Sequence, residues 1–429
     1  MNILLINNIN PLAASGSVGL DLYNGFKSNG HFVKLLVNVY KTNYPEGVVC
    51  VETRFEAKKK EILTKISNRL KLGKNQNLDS KYHIHEVKEQ NEIYRTDRIL
   101  KTAGFKPDAI IMLFIKDFIN TKNMYELYEK TDAPIYWLMY DMAPITGGCH
   151  YAWDCKGYLK DCGTCPGLYS SDPHDPTYIN LKIKKNYIDK TNIQLITASE
   201  WQYRQSKSSS LFRNKTIHKI LLSVDSKVFK PVNKENLRTE MGIPNTKKII
   251  FLGAVYMSDL RKGMQYLLES LKLFNDKIMG TTLENNILLL IAGVNIEEIA
   301  GSLPFEYHYL GYVDNTKGIA SAYQAADVFV CPSIEDSGPS MINQSIMCGT
   351  PVVSFEMGVS PDIVISGKTG YMAKLKDSDD LAQGLFNVLS LSEDQYDKMA
   401  KNCRELAVER FSQEVQILQF ENILNASKD

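Results

Sequence analysis

One stretch, residues 326–355, restricts the fold of this chain more than any other part of the sequence. It opens with Val328–Cys331, a short apolar run with β-branched residues that predicts a buried strand. A polar loop and a helical pattern follow, and a Gly-Thr-Pro turn precedes Val352–Phe355, which predicts the next strand. A strand, a helix and a second strand in this order predict a β-α-β unit of a parallel sheet.

The loop after the first of these strands carries two acidic residues, Glu335 and Asp336, and leads to a helix start near Ser340 and Met341. Ligands of open α/β sheets bind at the carboxyl ends of strands, and the N-terminus of a helix attracts phosphate. Carboxylates that accept hydroxyl groups, beside amides that receive phosphate, suit a nucleotide-sugar. The alternative is that the two acids only solvate an exposed loop.

The order of residues in this stretch resembles the donor-site signature of the retaining glycosyltransferases of family 4 (group 1). In that signature a proline-serine pair, an acid, a Gly/Pro turn and a second acid precede a Cys-Gly-Thr-Pro-Val-Val run. Here Pro332, Asp336, Gly338 and Cys348–Val353 match, whereas Gln344 replaces the second acid. A glutamine can still hydrogen-bond ribose hydroxyls, but it brings no charge.

The resemblance covers nearly the whole chain and implies an α/β fold of two Rossmann-like domains that face each other across a cleft, the B-type glycosyltransferase architecture. The N-terminal domain, residues 1–222, would bind the acceptor and carries a cysteine-rich insert at residues 147–166. The C-terminal domain, residues 223–405, would bind the nucleotide-sugar. A helix within residues 406–429 would cross back to the first domain.

Composition supports a globular protein of more than one domain. The chain has 429 residues, of which 44% are hydrophobic and 23% charged, and this suits two or three domains with sizeable cores. A net charge of +1 provides no global field that would recruit nucleic acid. The longest apolar runs, residues 109–115 and 287–294, are far shorter than the ~18 residues of a membrane helix, and no signal peptide is recognisable. We expect a cytoplasmic protein.

A basic pair, Arg261 and Lys262, precedes Gly263 at the predicted start of a helix. Departure of a nucleoside diphosphate from a sugar develops negative charge that such cations can stabilise. The resemblance gives Arg261 and Lys262 this role and assigns Asp336 and Glu335 to the sugar hydroxyls. The alternative is a surface pair without function, and Ala254 stands where the family often has an arginine.

Tyr140 and Asp141 directly follow the predicted strand 135–139. Many relatives carry a histidine-aspartate pair at this strand end, and their histidine reaches the donor sugar. Tyr140 takes the place of that histidine, and a tyrosine hydroxyl is a poor base near neutral pH. Asp141 therefore remains as the polar candidate of the catalytic set.

The resemblance also implies a set of donor-binding residues at glycine turns and helix starts. These are Gly16, Ser17, Val313, Gly338, Ser340, Met341 and Gln344. No cofactor or catalytic metal is implied, because basic residues and helix dipoles can meet the charge of the donor.

Four cysteines, Cys149, Cys155, Cys162 and Cys165, follow one another with the spacing C-x5-C-x6-C-x2-C. Four clustered thiols in a chain that is not a disulfide framework predict a structural tetrahedral zinc site. Such a site would pin the irregular segment 147–166. The alternative is a set of unliganded or reversibly oxidised thiols.

The segment 54–74 combines many lysines and arginines with apolar residues at helical spacing. A basic amphipathic helix of this kind can lie on the anionic inner face of a membrane, where lipid-linked acceptors reside. The alternative is an ordinary solvated helix face packed on its own domain.

These features together predict a retaining glycosyltransferase that moves a sugar from a nucleotide-sugar to a glycan or lipid-linked acceptor, as in cell-surface polysaccharide synthesis. One rival is a nucleotide-sugar epimerase on the same fold. The other is a catalytically impaired nucleotide-sugar-binding subunit, because Tyr140, Ala254 and Gln344 replace family residues.

Overall fold

The computed structural model describes residues 1–12, 17–70, 78–84, 89–338 and 340–426, without the side chains of residues 17 and 67–70. Contacts between residues divide the chain into two compact units. Unit 1 comprises Met1–Ala198, Gln202–Ile220 and Ile417–Asp429, and unit 2 comprises Ser199–Trp201 and Leu221–Gln416.

Unit 1 is built on a parallel sheet of seven strands within the described residues, in the order β3-β2-β1-β4-β5-β6-β7. Its central strands are buried apolar runs, as expected where both faces of a parallel sheet are covered. The strands are β1 Asn2–Asn7, β2 Phe32–Val37, β3 Val48–Cys50, β4 Ala109–Met112, β5 Ile135–Met139, β6 Ile193–Thr197 and β7 Ile217–Lys219. The α-helices between them are α1 Ser17–Ser28, α2 Arg54–Leu70, α3 Thr96–Ala103, α4 Thr121–Thr131, α5 Pro176–Lys190 and α6 Glu200–Ser208, whose first residues group with unit 2.

The last strand of the sheet of unit 1, β7, has no clear signal in the sequence. The three-residue strand β7 pairs in parallel with β6 and extends the sheet by one strand. It contains a histidine and a lysine and is only partly buried, so it lacks the apolar run that identifies a central strand.

Unit 2 repeats this plan with a parallel sheet of six strands among the described residues, in the order β10-β9-β8-β11-β12-β13. The predicted β-α-β unit is confirmed, because Val330 of β11 lies opposite Val353 of β12 in a parallel pair. The strands are β8 Lys248–Tyr256, β9 Ile287–Val294, β10 Tyr307–Gly311, β11 Val328–Cys331, β12 Val352–Phe355 and β13 Gly370–Ala373. The α-helices are α7 Lys234–Glu240, α8 Met264–Ile278, α9 Thr316–Ala325, α10 Ser340–Met347, α11 Ser360–Ile363, α12 Ser378–Leu389 and α13 Glu393–Phe411.

The strand order of each sheet reverses at one point. In unit 1 the reversal lies between β1 and β4, and in unit 2 it lies between β8 and β11. At such a point the connections leave the two neighbouring strands in opposite directions, so that a crevice opens outside their carboxyl ends. The expectation of two Rossmann-like α/β domains is confirmed, and each unit has one position where this fold binds ligands.

The last helix, α14 Gln413–Ala426, belongs from Ile417 onward to unit 1, as the resemblance implies. The ring of Phe420 packs edge-on against Phe26 with centroids 5.9 Å apart. The side chain of Glu421 lies 2.9 Å from the ring nitrogen Nε2 of His31. Gly25 leaves room for this helix, because a Cβ at Gly25 would approach Cγ1 of Ile417 to 2.4 Å.

Asp327, which directly precedes β11, is a buried charge that connects elements of unit 2. Its carboxylate accepts hydrogen bonds from Arg238 at 2.7 Å, Lys234 at 3.0 Å and the backbone N–H of Ile249 at 2.7 Å. Burial acts to raise the pKa of Asp327, but Lys234 and Arg238 bring that pKa below its ordinary value. The ionised carboxylate therefore stabilises unit 2 above the ordinary pKa of aspartate, and this contribution is lost as the pH falls through the lowered value.

Replacing Asp327 with alanine should destabilise unit 2 by about 3–5 kcal/mol, because the buried Arg238 would lose its partner. The free energy of opening can be measured by native-state hydrogen exchange of the β8 amides. As a control, Lys277→Ala removes a more exposed pair with Asp379, 3.2 Å apart, and should change this free energy by less than about 0.5 kcal/mol. A small and equal effect of both substitutions would contradict the assigned role.

Candidate functional site

A short 3-10 turn after β8, Leu260–Lys262, positions the basic pair at the strand-order reversal of unit 2. The side chain of Asp259 caps this turn by accepting from the backbone N–H of Arg261 at 3.1 Å. The sequence places Lys262 at the start of a helix, and this is wrong in detail. Lys262 ends the 3-10 turn, and α8 begins at Met264, because Gly263 adopts a left-handed backbone (φ 65°) between them.

Gly263 brings the basic turn against the loop that follows β11. A Cβ at Gly263 would lie 1.9 Å from the carbonyl oxygen of Pro332, which only glycine avoids. The backbone N–H of Ile334 donates to the carbonyl oxygen of Arg261 at 2.8 Å. The two loops of the site are thus joined through their backbones.

The basic pair and the predicted acid meet in this crevice. Lys262 Nζ lies 2.6 Å from Asp336 Oδ2, and Arg261 lies 2.6 Å from Asp259 and 3.9 Å from Asp336. Burial acts to lower the pKa of Lys262, but Asp336 raises it above its ordinary value. Burial acts to raise the pKa of Asp336, but Lys262 and then Arg261 lower it. Both members of the pair are therefore ionised at neutral pH.

A pocket of about 340 Å³ adjoins this ion pair. Its wall includes Lys262, Met341 at the start of α10, and residues near the carboxyl ends of β8 and β11. The remaining lining residues are Leu252, Gly253, Ala254, Met264, Leu267, Cys331, Pro332 and Ser333. A cation, a helix N-terminus and an aspartate partner thus stand at the position where the fold leaves a crevice.

The other predicted residues of unit 2 lie on the loop after β11 and on α10. Glu335 is buried, and its backbone N–H approaches the carbonyl oxygen of Arg261 at 3.4 Å. Gly338 has φ 141° and donates its N–H to Asp336 Oδ1 at 3.3 Å. Ser340 is the exposed first residue of α10, and the side-chain oxygen of Gln344 accepts from the hydroxyl of Tyr323 at 3.2 Å.

Three further residues, Val313, Gly16 and Ser17, are predicted to bind the donor. Val313 is half-buried and packs against the apolar core of unit 2. Gly16 lies outside the described residues, and Ser17 is the first residue of α1 with its side chain outside them. The donor roles of Gly16, Ser17 and Val313 remain predictions.

Unit 1 contains a larger pocket of about 740 Å³ after the ends of β4 and β5. Asp141 lies in its wall, and Asp141 Oδ2 is 2.6 Å from Nδ1 of His150, which also lines the pocket. The other carboxylate oxygen of Asp141 accepts from the backbone N–H of Ala143 at 2.7 Å. The ring of His150 stacks on Phe114 with an interplanar angle of 16°. Asp141 therefore orients an imidazole inside a pocket.

Sequence reasoning missed His150 as a site residue because it treats Tyr140 as the replaced histidine. Tyr140 also lines the pocket, and burial raises the pKa of its hydroxyl far above the ordinary value. The only sequence signal for His150 is that it lies in the irregular segment after Asp141. Spacing alone does not predict that this segment folds back and brings His150 to Asp141. The loop between them is held by Lys184, whose Nζ donates to the carbonyl oxygens of Ala143 at 2.7 Å and Thr146 at 3.0 Å.

The four clustered cysteines of unit 1 line a separate pocket of about 330 Å³. Burial, followed by the neighbouring thiols of Cys155 and Cys165, raises the pKa of Cys162 to about 12. As they stand, the described residues contain no group of three or more His, Cys, Asp or Glu side chains that could hold a metal ion. The zinc site at Cys149, Cys155, Cys162 and Cys165 remains a prediction.

Replacing Gly263 with alanine should weaken the backbone contact between the turn after β8 and the loop after β11. The variant combines a left-handed alanine with a clash against Pro332, and overpacking of this kind costs about 1–3 kcal/mol. Hydrogen exchange of the Ile334 amide reports the loss directly, because this amide bonds to Arg261.

Gly280→Ala is the matched control. Gly280 has φ 75°, and a Cβ there would meet nothing within 4 Å. Gly280→Ala should therefore incur only the backbone cost and leave exchange at Ile334 unchanged. Equal protection of Ile334 in both variants would show that Gly263 does not hold the loops together.

Comparison with known proteins finds a similar family for most of unit 2. Residues 233–406 match the sequence profile of the family described as "Glycosyl transferases group 1". N-acetyl-alpha-D-glucosaminyl L-malate synthase from Bacillus anthracis is 25% identical over 266 residues, which are 61% of this chain and 65% of that enzyme. The chain thus aligns with less than two thirds of the length of this relative.

Solved structures match over nearly the full length. Sucrose-phosphate synthase from Thermosynechococcus elongatus superposes with a TM-score of 0.66 at 16% identity, covering 99% of this chain and 98% of that chain. Anabaena Alr3699/HepE in complex with UDP-glucose superposes with a TM-score of 0.61 at 14% identity, covering 99% of this chain and 100% of that chain. Residues 233–406 are thus similar to the group 1 glycosyl transferases, and over its whole length the chain has the two-domain α/β fold of these solved structures.

Proposed function

We propose that this protein is a retaining glycosyltransferase that moves a sugar from a nucleotide-sugar donor to a glycan or lipid-linked acceptor, in cell-surface polysaccharide synthesis. The observation that carries the proposal is the partly buried pair of Lys262 and Asp336, 2.6 Å apart, at the strand-order reversal of unit 2. The similarity to a structure described as a complex with UDP-glucose supports a nucleotide-sugar as the donor.

The opposite charges of Lys262 and Asp336 match the two parts of such a donor, the anionic diphosphate and the sugar hydroxyls. Without a ligand, Asp336 neutralises Lys262, and Asp259 neutralises Arg261. A bound diphosphate would replace Asp336 as the partner of Lys262, and Asp336 and Glu335 would then accept the hydroxyls of the sugar. The N-terminus of α10 near Ser340 and Met341 would add its dipole to the phosphate site, with Gln344 reaching the ribose.

The reaction breaks the bond between the anomeric carbon and the diphosphate oxygen and forms a bond from that carbon to the acceptor hydroxyl on the same face. The electron pair of the broken bond leaves with the diphosphate, which also receives the proton of the acceptor hydroxyl. Lys262 and Arg261 stabilise the departing charge, so catalysis is mainly positioning and electrostatic stabilisation. These two cations supply the positive charge that a catalytic metal would otherwise bring.

The acceptor is proposed to bind in the pocket of unit 1. Aromatic rings of Phe114, Phe118 and Trp137 line this pocket together with Asp141 and His150. Apolar ring faces pack on the C–H faces of sugars, and the imidazole held by Asp141 can exchange hydrogen bonds with sugar hydroxyls.

Two rival functions give different outcomes with the same reagents. A nucleotide-sugar epimerase would convert a donor to an isomer without any acceptor. A catalytically impaired subunit would bind a donor and turn over none of a broad set of donor-acceptor pairs. The donor can be identified first by a thermal-shift screen of nucleotide-sugars, because a ligand that binds only the native state raises the melting temperature.

Replacing Lys262 with alanine should lower the rate of sugar transfer by about 10²–10³-fold, because one charge-stabilising contact to the leaving diphosphate is removed. Release of nucleoside diphosphate with a donor from the screen measures this rate. Lys272→Ala, an exposed lysine on α8, should keep the parental rate. Parental activity of the Lys262 variant, with its fold verified by circular dichroism, would refute the phosphate role.

We also propose that α2 contacts the anionic inner face of a membrane. The described part of this helix is exposed along most of its length, and Phe55 and Leu63 are 77% and 54% exposed. Lysines 58–60 lie beside these apolar residues. In the described residues no helix combines the length and hydropathy that a membrane span requires. Surface adsorption through lysines and an apolar stripe fits such a helix.

Replacing Lys58, Lys59 and Lys60 together with alanine should weaken binding to vesicles that contain anionic lipid by about 100-fold, at about 1 kcal/mol per lysine. Cosedimentation with vesicles at low salt measures the affinity. The control replaces three exposed lysines elsewhere in unit 1, Lys101, Lys106 and Lys190, and changes the net charge equally. If both triple substitutions weaken vesicle binding equally, α2 is an ordinary solvent-exposed helix and not a membrane-binding one.

A further inference from the structure

Four cysteines line one pocket in unit 1. Cys149, Cys155, Cys162 and Cys165 all line the pocket of about 330 Å³, and each has a free thiol that is only partly buried. The sulfurs of Cys155 and Cys162 lie 3.5 and 3.7 Å from the position that a Cβ on Gly157 would occupy. By contrast, Cys331, Cys348 and Cys403 of unit 2 are buried core residues.

A backbone amide points at one of these sulfurs. The N–H of Gly157 donates to Sγ of Cys155 at 3.4 Å. Amide donors stabilise a thiolate more than a thiol.

The backbone around the pocket is held in an unusual conformation. Cys162, Gly163 and Thr164 are consecutive left-handed residues with φ of 54°, 82° and 46°. Such residues persist only where the surroundings determine them, and they cluster at functional sites. The carboxylate of Asp175, which caps α5, accepts from the N–H of Cys165 at 2.8 Å and fixes the end of this turn.

The buried cation Lys184 stands near this pocket. Its Nζ bonds to the carbonyl oxygen of Thr146, a residue that also lines the cysteine pocket. A divalent metal bound by four thiolates carries a net charge of −2, so a neighbouring ammonium group lowers the cost of burying the complex.

We propose that these four cysteines bind one structural zinc ion as a tetrahedral four-thiolate site. As they stand, the four thiols are not set at metal-ligand positions, so binding requires their side chains to rotate toward the centre of the pocket. Zinc displaces the thiol protons to solvent and forms four sulfur–zinc bonds of about 2.3 Å, with no change of redox state. Soft thiolate ligands in tetrahedral arrangement favour zinc over harder cations.

A metal bound to Cys149 would restrain the backbone of the next residue, His150. Cys149 directly precedes His150, whose ring lines the large pocket of unit 1. The zinc site therefore acts on that pocket only through the backbone and places no ligand in it. The inference stands independently of sugar transfer.

The test is metal analysis of the full-length protein purified anaerobically with reductant and incubated with zinc chloride. We expect about one zinc per chain after removal of free metal, as a single four-thiol site requires. Alkylation by N-ethylmaleimide, located by mass spectrometry, should spare the four cysteines in the zinc-loaded protein and modify them after chelation. Uptake far below one zinc per chain would overturn the proposal, as would disulfides among these cysteines in the anaerobic sample.

Matched variants separate the site from other thiols of unit 1. Cys155→Ser with Cys165→Ser should abolish stoichiometric uptake, whereas Cys50→Ser, outside the cluster on β3, should keep it. Zinc should raise the melting temperature of the chelated wild-type protein and of Cys50→Ser, but not of the double variant. Should the double variant not fold, the alkylation pattern of the wild-type protein still decides between a zinc site and free thiols.

Discussion

The partly buried contact between Lys262 and Asp336 depends on the order of the strands rather than on the spacing of the residues. Lys262 follows β8 and Asp336 follows β11, and these two strands are neighbours in the sheet although β9 and β10 separate them in sequence. Each charge alone would be costly in this crevice, so the two groups stabilise each other as a pair. A pair made in this way can exchange partners when a ligand brings both an anion and hydroxyl groups.

The sequence predicts the loops that carry these two residues, because apolar runs and polar loops alternate clearly in unit 2. The strand β11, the acid loop and the start of α10 follow from periodicity and helix-start signals. The sequence does not predict that Lys262 ends a 3-10 turn. This turn depends on the close approach of Gly263 to Pro332, which is a contact between residues distant in sequence. Local patterns determine elements, whereas long-range contacts determine where each element begins.

Unit 1 is less predictable for the same reason. His150 reaches Asp141 because the segment between them folds back across the end of β5, and Lys184 on α5 holds that loop. Neither contact has a periodic signal. The strand β7 is similarly hidden, because an edge strand of three partly polar residues has too few positions for a pattern. What sequence reasoning captures is the architecture, and what it misses are contacts made by irregular segments.

The position of α14 has a consequence for how the protein is made. Unit 1 takes most of its residues from before Ile220, but its part of α14 begins only at Ile417, after unit 2 has been synthesised. At roughly 5–20 residues per second, about 10–40 seconds separate these two points of translation. During that interval the apolar surface around Phe26 is without the ring of Phe420. A nascent unit 1 therefore keeps this apolar surface exposed until the segment that begins at Ile417 has been synthesised.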